Sequence, residues 1–295
     1  DQAGLTPDDP TVHGFDPIHK GFYHGGDLAG LLDQMDYLAE LGVNAIWLAP
    51  VFKNQVYDPR RDDTGYHGYW VTDFTQFDPH FGTNEEFEQV VAEAHRRGMK
   101  VIFDIIINHT ADVIQYAEGD YGYVSKAEQP YLDAEGDPFD DRDYAGQADF
   151  PELDPEVSFP YTPVFTRETD ASLKVPAWLN NPIYYHNRGD SSFIDENSLY
   201  GDFDRLDDLF TEHPDVVNGM IEIYKNWVDF GVDGFRVDTV KHVNVELWQQ
   251  FAPAIIEYAA AQGNPDFFIF GEVFSGDNTL LSYYTAAGQL PAVLD

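Results

Sequence analysis

Two acidic residues and one arginine stand out for what they could do together. In "GFRVDTVKHV" (234–243), Arg236 precedes Asp238 by two residues at the end of a short apolar run, and Glu272 ends a second such run, "FFIFGE". A guanidinium that close is expected to hold a partly buried carboxylate ionised, the state a carboxylate nucleophile needs. Glu272 lies among Phe270, Val273 and Phe274, and these surroundings are expected to desolvate its carboxyl and raise its pKa, as a general acid requires. Two carboxyls about 5 to 5.5 Å apart across a cleft are the equipment of retaining glycosyl transfer: one attacks the anomeric carbon while the other protonates the departing oxygen. For either acid alone, a strand-end salt bridge or a helix cap is the plain alternative.

Two further stretches carry groups suited to the same task. "FDIIINHT" ends a third apolar run with Asn108 and His109; an imidazole or amide can hydrogen-bond sugar hydroxyls, and the amide oxygen can ligate a hard cation. "GYHGYW" presents Tyr66, His67, Tyr69 and Trp70 on a glycine-containing turn, and aromatic faces stack on the apolar faces of pyranose rings. Ordinary core packing is the better reading for Trp70.

The elements needed to position these groups are legible. Residues 27–41 put Leu28, Leu31, Leu32, Met35, Leu38 and Leu41 on one helical face, with Gly42 as a stop, and "VNAIWLAPV" follows as a strand. The order repeats: Thr83 and Glu86 form a capping box, Phe87, Val90, Val91 and Ala94 an apolar stripe, Gly98 a stop, then "KVIFDIII". After an irregular stretch it resumes with "PDVVNGMIEIYKNWVDFG", "GFRVD", "ELWQQFAPAIIEYAAAQG", "FFIFGE" and "LPAVLD". Apolar strands alternating with helices indicate a helix-covered parallel sheet, either a β/α barrel or a doubly wound sheet. Polar residues at three strand ends suit a barrel mouth. From Thr110 to about Gly201 the periodicity is lost, which predicts a small inserted domain. Its run "DAEGDPFDDRD" reads as a solvated acidic loop, since its spacing does not match a calcium-binding loop.

Composition narrows the partners. With 53 acidic against 16 basic residues and a formal charge of −37, the chain repels phosphate backbones and anionic lipid, but not neutral sugars. Acids spread along the whole length read as a solvated surface of the kind adapted to high salt, where screening relieves self-repulsion. Zero cysteines exclude disulfides and thiolate sites. An enzyme using metal-activated water would need clustered His or carboxylate ligands at the strand ends, where there is one histidine.

Taken in order, "GYHGYW", "FDIIINH", "LDDLFTEHPDVV", "GFRVDTVKH" and "GEV" resemble the motifs of the α-amylase family, glycoside hydrolase family thirteen. The resemblance implies a (β/α)8 TIM-barrel catalytic domain that this sequence covers only in part, about strands 2 to 6. A small domain would be inserted after the third strand: barrel over 1–109, inserted domain over 110–201, barrel again over 202–295. By the same resemblance Asp238 is the nucleophile, Glu272 the acid/base and Arg236 the partner of the nucleophile. His109, His67 and Tyr69 would hold the sugar beside the cleaved bond. Lys241 and His242 would lie on the leaving-group side, a pair that favours α-1,4-glucan over sucrose. A structural Ca²⁺ would be held by Asn108, Asp208, the carbonyl of His242 and Glu196.

The implied substrate is an α-glucan or maltooligosaccharide, with neither nucleic acid nor membrane as partner, and a polymeric substrate with calcium implies secretion. Cyclomaltodextrinase, neopullulanase and transglycosylases share these residues. The family's third carboxylate, in a His-Asp pair after the seventh strand, is not among the 295 residues, nor is the first strand. A remainder of the same polypeptide is therefore expected to complete the barrel, and a non-catalytic glucan-binding protein is the rival reading.

Overall fold

A computed structural model describes residues 9–294. The opening "DQAGLTPD" and Asp295, the end of the last expected strand, lie outside them. Five strands make one sheet: β1 (Ala45–Leu48), β2 (Lys100–Ile105), β3 (Gly234–Val237), β4 (Phe268–Glu272) and β5 (Ala292–Leu294). Every neighbouring pair is parallel, and the spatial order is the chain order. A doubly wound sheet begins near its middle and reverses direction, whereas a barrel winds one way throughout. The chain order therefore decides between the two, and the sheet is an arc of a (β/α)8 barrel.

Six helices connect or flank these strands: α1 (Leu28–Asp33), α2 (Met35–Glu40), α3 (Asn84–Arg96), α4 (Pro214–Asp229), α5 (Val245–Ala261) and α6 (Asn278–Ala286). α3 begins where its capping box is expected: Glu86 N–H donates to Thr83 Oγ1, and Thr83 N–H donates to the Glu86 carboxylate. The single helix expected over 27–41 is instead two. At Gln34 (φ −99°, ψ 3°) the N–H is shared between the Leu31 and Leu32 carbonyls, so the stripe is broken and Leu41 ends up mostly exposed.

Outward-facing side chains of the strands, Val101, Phe103 and Ile105 of β2, Phe235 and Val237 of β3 and Ile269 of β4, are buried in the main hydrophobic core. Phe103 stacks on Trp227 of α4 with centroids 4.9 Å apart, and the indole N–H donates to Phe74 O at 2.7 Å. Truncating either ring would cost about 3 to 5 kcal/mol. Burial on both faces, expected of every strand, does not hold for β1 and β5, the edges of the sheet, which leave Trp47 and Leu294 exposed, nor for β4, where Phe268 is exposed.

Between Thr110 and Gly201 the chain makes two-residue strand pairs, 115–116 with 163–164 and 131–132 with 138–139, joined by short 3₁₀ turns. The acidic run there is not wholly solvated, because Asp141 is buried and accepts Lys126 Nζ at 2.9 Å. One contact fixes this segment to the barrel layer: the Trp178 indole lies against Gly219 in the middle of α4, where a Cβ would come within 2.5 Å of the ring.

Candidate active site

The register of β2, β3 and β4 sets Arg236 directly opposite Asp104 on one side and Phe270 on the other. Since side chains alternate along a strand, Asp104, Arg236 and Glu272 share the inner face of the arc, with Asp238 just beyond the end of β3. Arg236 Nη1 donates to Asp104 Oδ1 at 2.9 Å and to Asp238 Oδ1 at 2.8 Å, while Nη2 lies 2.8 Å from Glu272 Oε2. Asp104 Oδ2 accepts from Trp47 Nε1 at 3.1 Å and from the Tyr69 hydroxyl at 3.4 Å. The backbone N–H of Asp238 donates to Ile105 O.

The structure thus brings Asp238, Glu272 and Arg236 together as the sequence leads one to expect, but it distributes charge differently. One guanidinium serves three carboxyls, so it cannot offset the burial of each. Burial pushes the Asp238 carboxyl up to about 7 despite Arg236, helped by repulsion from Asp104 and Glu272. Asp104 is pushed up to about 6 for the same first reason, with Arg236 opposing. Arg236 does favour the Asp238 anion, as expected, but burial outweighs it. Glu272 is also not desolvated: its side chain is 29% exposed and paired with Arg236. Val273 is buried in the core, and Phe274 is 80% exposed.

His67 and Tyr69 lie beside the carboxyl cluster with their rings stacked, centroids 5.7 Å apart. Tyr69 N–H donates to His67 Nδ1, which leaves the proton of a neutral imidazole on Nε2. Burial lowers His67 to about 4 and His109 to about 3, so both are neutral hydrogen-bonding groups at physiological pH. Asn108 Nδ2 meets His109 Nδ1 at 3.2 Å, and His109 Nε2 is buried with no hydrogen-bond partner among the described residues.

On the other side of Glu272 lies a cleft of about 310 Å³ lined by Phe193, Phe203, Lys241, His242 and Phe274. Thr239, directly after Asp238, adopts a left-handed conformation (φ 52°), a turn that a β-branched residue takes only under constraint. The turn leads into the 3₁₀ segment that carries Lys241 and His242. Lys241 Nζ donates to Phe274 O at 3.1 Å, and His242 Nδ1 donates to Ser198 O at 2.9 Å.

The residues expected to bind metal are only partly assembled. An antiparallel bridge pairs His109 with Asp208, and beside it Leu209 N–H donates to Asn108 O. Asp208 Oδ2 is 2.6 Å from His186 Nδ1, whose Nε2 meets Glu212 Oε2 at 3.0 Å. Glu196 is engaged elsewhere, its Oε1 accepting from the Tyr123 hydroxyl and from Lys126 N–H. Among the described residues no three His, Cys, Asp or Glu side chains form a metal-binding group. Amide and carbonyl oxygens would have to supply most of any cation site, a donor set that suits Ca²⁺.

Comparison with known proteins bears on the chain as a whole. The alpha amylase catalytic-domain model matches residues 6–295. The chain belongs to the α-amylase family. An alpha-amylase of Streptomyces lividans is 54% identical over 286 residues, 96% of this chain and 31% of that protein. A cyclomaltodextrin glucanotransferase of Klebsiella oxytoca is 29% identical over 95% of this chain and 38% of its own length. The chain therefore spans about a third of these relatives. Among solved structures, an alpha-amylase from Geobacillus thermoleovorans complexed with acarbose superposes with a TM-score of 0.62 at 30% identity, over 96% of this chain and 48% of that one.

Within this α-amylase-family chain, Asp104 is legible from sequence as a polar strand-end residue, a charge inside the apolar run "KVIFDIII", though not as a partner of Arg236. Three other residues were not foreseen: Trp47 reaches Asp104 from the edge strand, and Phe193 with Phe203 forms the wall of the cleft beyond Glu272. No local pattern announces these three.

Proposed function

We propose that the chain carries the catalytic site of a retaining α-glucan hydrolase acting on α-1,4 bonds of starch-like polymers. The observation that carries this reading is the single guanidinium of Arg236 gripping Asp238 and Glu272 at once. Asp238 attacks the anomeric carbon while Glu272 gives its proton to the leaving oxygen; Glu272 then takes a proton from water, whose oxygen displaces Asp238. His67, His109 and Tyr69 bind hydroxyls of the sugar under attack, and Lys241 and His242 meet the leaving chain. A fluorinated glycoside with an activated leaving group, followed by digestion, tests the scheme: the label belongs on Asp238, and a label on any other residue defeats it.

The chain order of the segments supports a division into barrel residues 1–109 and 202–295 around an inserted domain, 110–201. The apolar cleft beside Glu272 favours a second reading, transglycosylation, because a bound sugar acceptor there would compete with water. Product analysis on starch, pullulan and cyclodextrin separates hydrolysis, cyclodextrin opening and transfer. Secretion fits a polymeric substrate, and the acidic composition fits a salty medium.

Productive chemistry needs Asp238 as the anion, and this gives the pH dependence its sign. Burial moves the loss of the Asp238 proton up to about pH 7, in a titration shared with Asp104. kcat/KM is therefore expected to fall as pH drops below about 7, instead of below the ordinary carboxylate range near 4. A rate that stays flat down to pH 5 would contradict the charge distribution described above.

Calcium is proposed at Asn108, Asp208 and the His242 carbonyl, with Glu196 joining only if it leaves Tyr123 and Lys126. A bound cation would supply positive charge between the acidic segments. Chelation is then expected to lower the melting temperature by several degrees and to reduce activity, with recovery on adding Ca²⁺; loss of 1 to 3 kcal/mol corresponds to roughly 2 to 4 °C each. Calorimetry with and without chelator decides, and an unchanged transition removes the metal from the scheme.

A further inference from the structure

The main chain between the candidate nucleophile and His109 is held by two ladders with a gap between them. Up to Ile105, β2 is bonded to β3, and Ile105 O accepts the N–H of Asp238. From Asn108 onward the partner is the segment 207–209: Asn108 O accepts from Leu209 at 2.9 Å, and Thr110 N–H donates to Asp207 O at 3.0 Å. Ile106 falls in the gap and is fully buried. Both its N–H and its C=O are met by one hydroxyl from a helix. Tyr224 Oη accepts from Ile106 N–H at 3.1 Å and donates its own hydrogen to Ile106 O. The ring that carries this hydroxyl is itself fully buried on α4, wedged among Phe52, Phe235 and Phe251. Burial holds the phenol well above its usual pKa, so it remains a donor throughout the working range.

We propose that Tyr224 is a positioning residue that sets the span between Asp238 and His109 by clamping Ile106 from behind. It touches neither substrate nor the reacting carboxyls. Without the hydroxyl, Ile106 would have two unpaired backbone groups in a dry core, and they can regain partners only if the chain moves. Asp104 lies two residues before this point and His109 three after it. An ångström-scale shift there alters how the sugar is held relative to Asp238, which is enough to cost up to about 10²-fold in rate.

The kinetic arm of the test rests on the hydrolase reading above; the exchange arm does not. In Tyr224→Phe, which keeps the ring, amide hydrogen exchange across residues 105–109 should speed up by about tenfold or more, since those amides lose a local tether. kcat on a maltooligosaccharide should fall about 10- to 100-fold with KM within about twofold, the signature of lost alignment as opposed to lost binding. Phe251→Leu loosens the same ring without touching the hydroxyl, and should lower the melting temperature while leaving kcat within about twofold. Unchanged exchange in Tyr224→Phe overturns the clamp. Faster exchange with unchanged kcat, or an equal kcat loss in Phe251→Leu, overturns the positioning role and leaves only a structural one. A wild-type chain that releases no sugar while the exchange arm behaves as expected sinks the hydrolase reading and leaves the Ile106 clamp standing.

Discussion

Arg236→Leu is expected to reduce kcat/KM by about 10³-fold or more and to destabilise the fold by about 3 to 5 kcal/mol, because it strips the cation from a nearly dry cluster and leaves its anions uncompensated. Three carboxyls, Asp104, Asp238 and Glu272, depend on that guanidinium, and two of them are buried. With it gone they cannot all ionise at neutral pH, so Asp238, the proposed nucleophile, is protonated as well as misplaced. Arg236→Lys should recover part of the stability but little of the rate. An ammonium is a point charge and cannot span Nη1 and Nη2 positions facing different acids. Thermal unfolding and steady-state kinetics on both variants check this, and an active, stable Arg236→Leu protein would dissolve the picture of a shared cation.

Asp238→Asn and Glu272→Gln are each expected to lower starch hydrolysis by about 10⁴-fold, yet to separate on a substrate whose leaving group needs no proton. On such a substrate Glu272→Gln should still form the glycosyl ester and then stall, since nothing activates the water. Asp238→Asn should form no ester at all. Mass spectrometry of the intact protein reads both outcomes directly. If the two variants behaved alike on the activated substrate, the assignment of attack to one acid and proton transfer to the other would be wrong.

Glu272 is paired with Arg236 and partly wet, whereas Asp238 is the acid that burial inclines to hold a proton. The proposed chemistry requires Asp238 as the anion. A sugar hydroxyl that donates to the Asp238 carboxylate would favour its ionised form. The acid limb expected near neutrality is the observable trace of Asp238 in the free protein.

Much of the arrangement is legible in the amino-acid order, because it is local. Thr83 and Glu86 announce a helix start through three-residue spacing, and the reciprocal bonds are found as expected. Arg236 and Asp238 are two apart on one strand, so their pairing follows from alternation alone. What was not legible depends on register or on edges. That Asp104 competes for Arg236 follows from the alignment of β2 with β3, which no single segment encodes. The partial exposure of Glu272 was not legible because apolar neighbours in sequence do not guarantee cover in space: Phe274 beside it is itself 80% exposed and lines an open cleft. The break at Gln34 and the exposure of Trp47 likewise depend on surroundings beyond the local pattern.

The contact between Trp178 and Gly219 has a geometric corollary. A helix usually meets its neighbours through side chains, which act as cushions of adjustable thickness. Here an indole plate lies flush on bare helix backbone, with no cushion to compress, so the depth at which the intervening segment docks is gauged by the width of a single hydrogen atom. Even one methyl group at position 219 would act as a shim, tilting the plate and the chain attached to it.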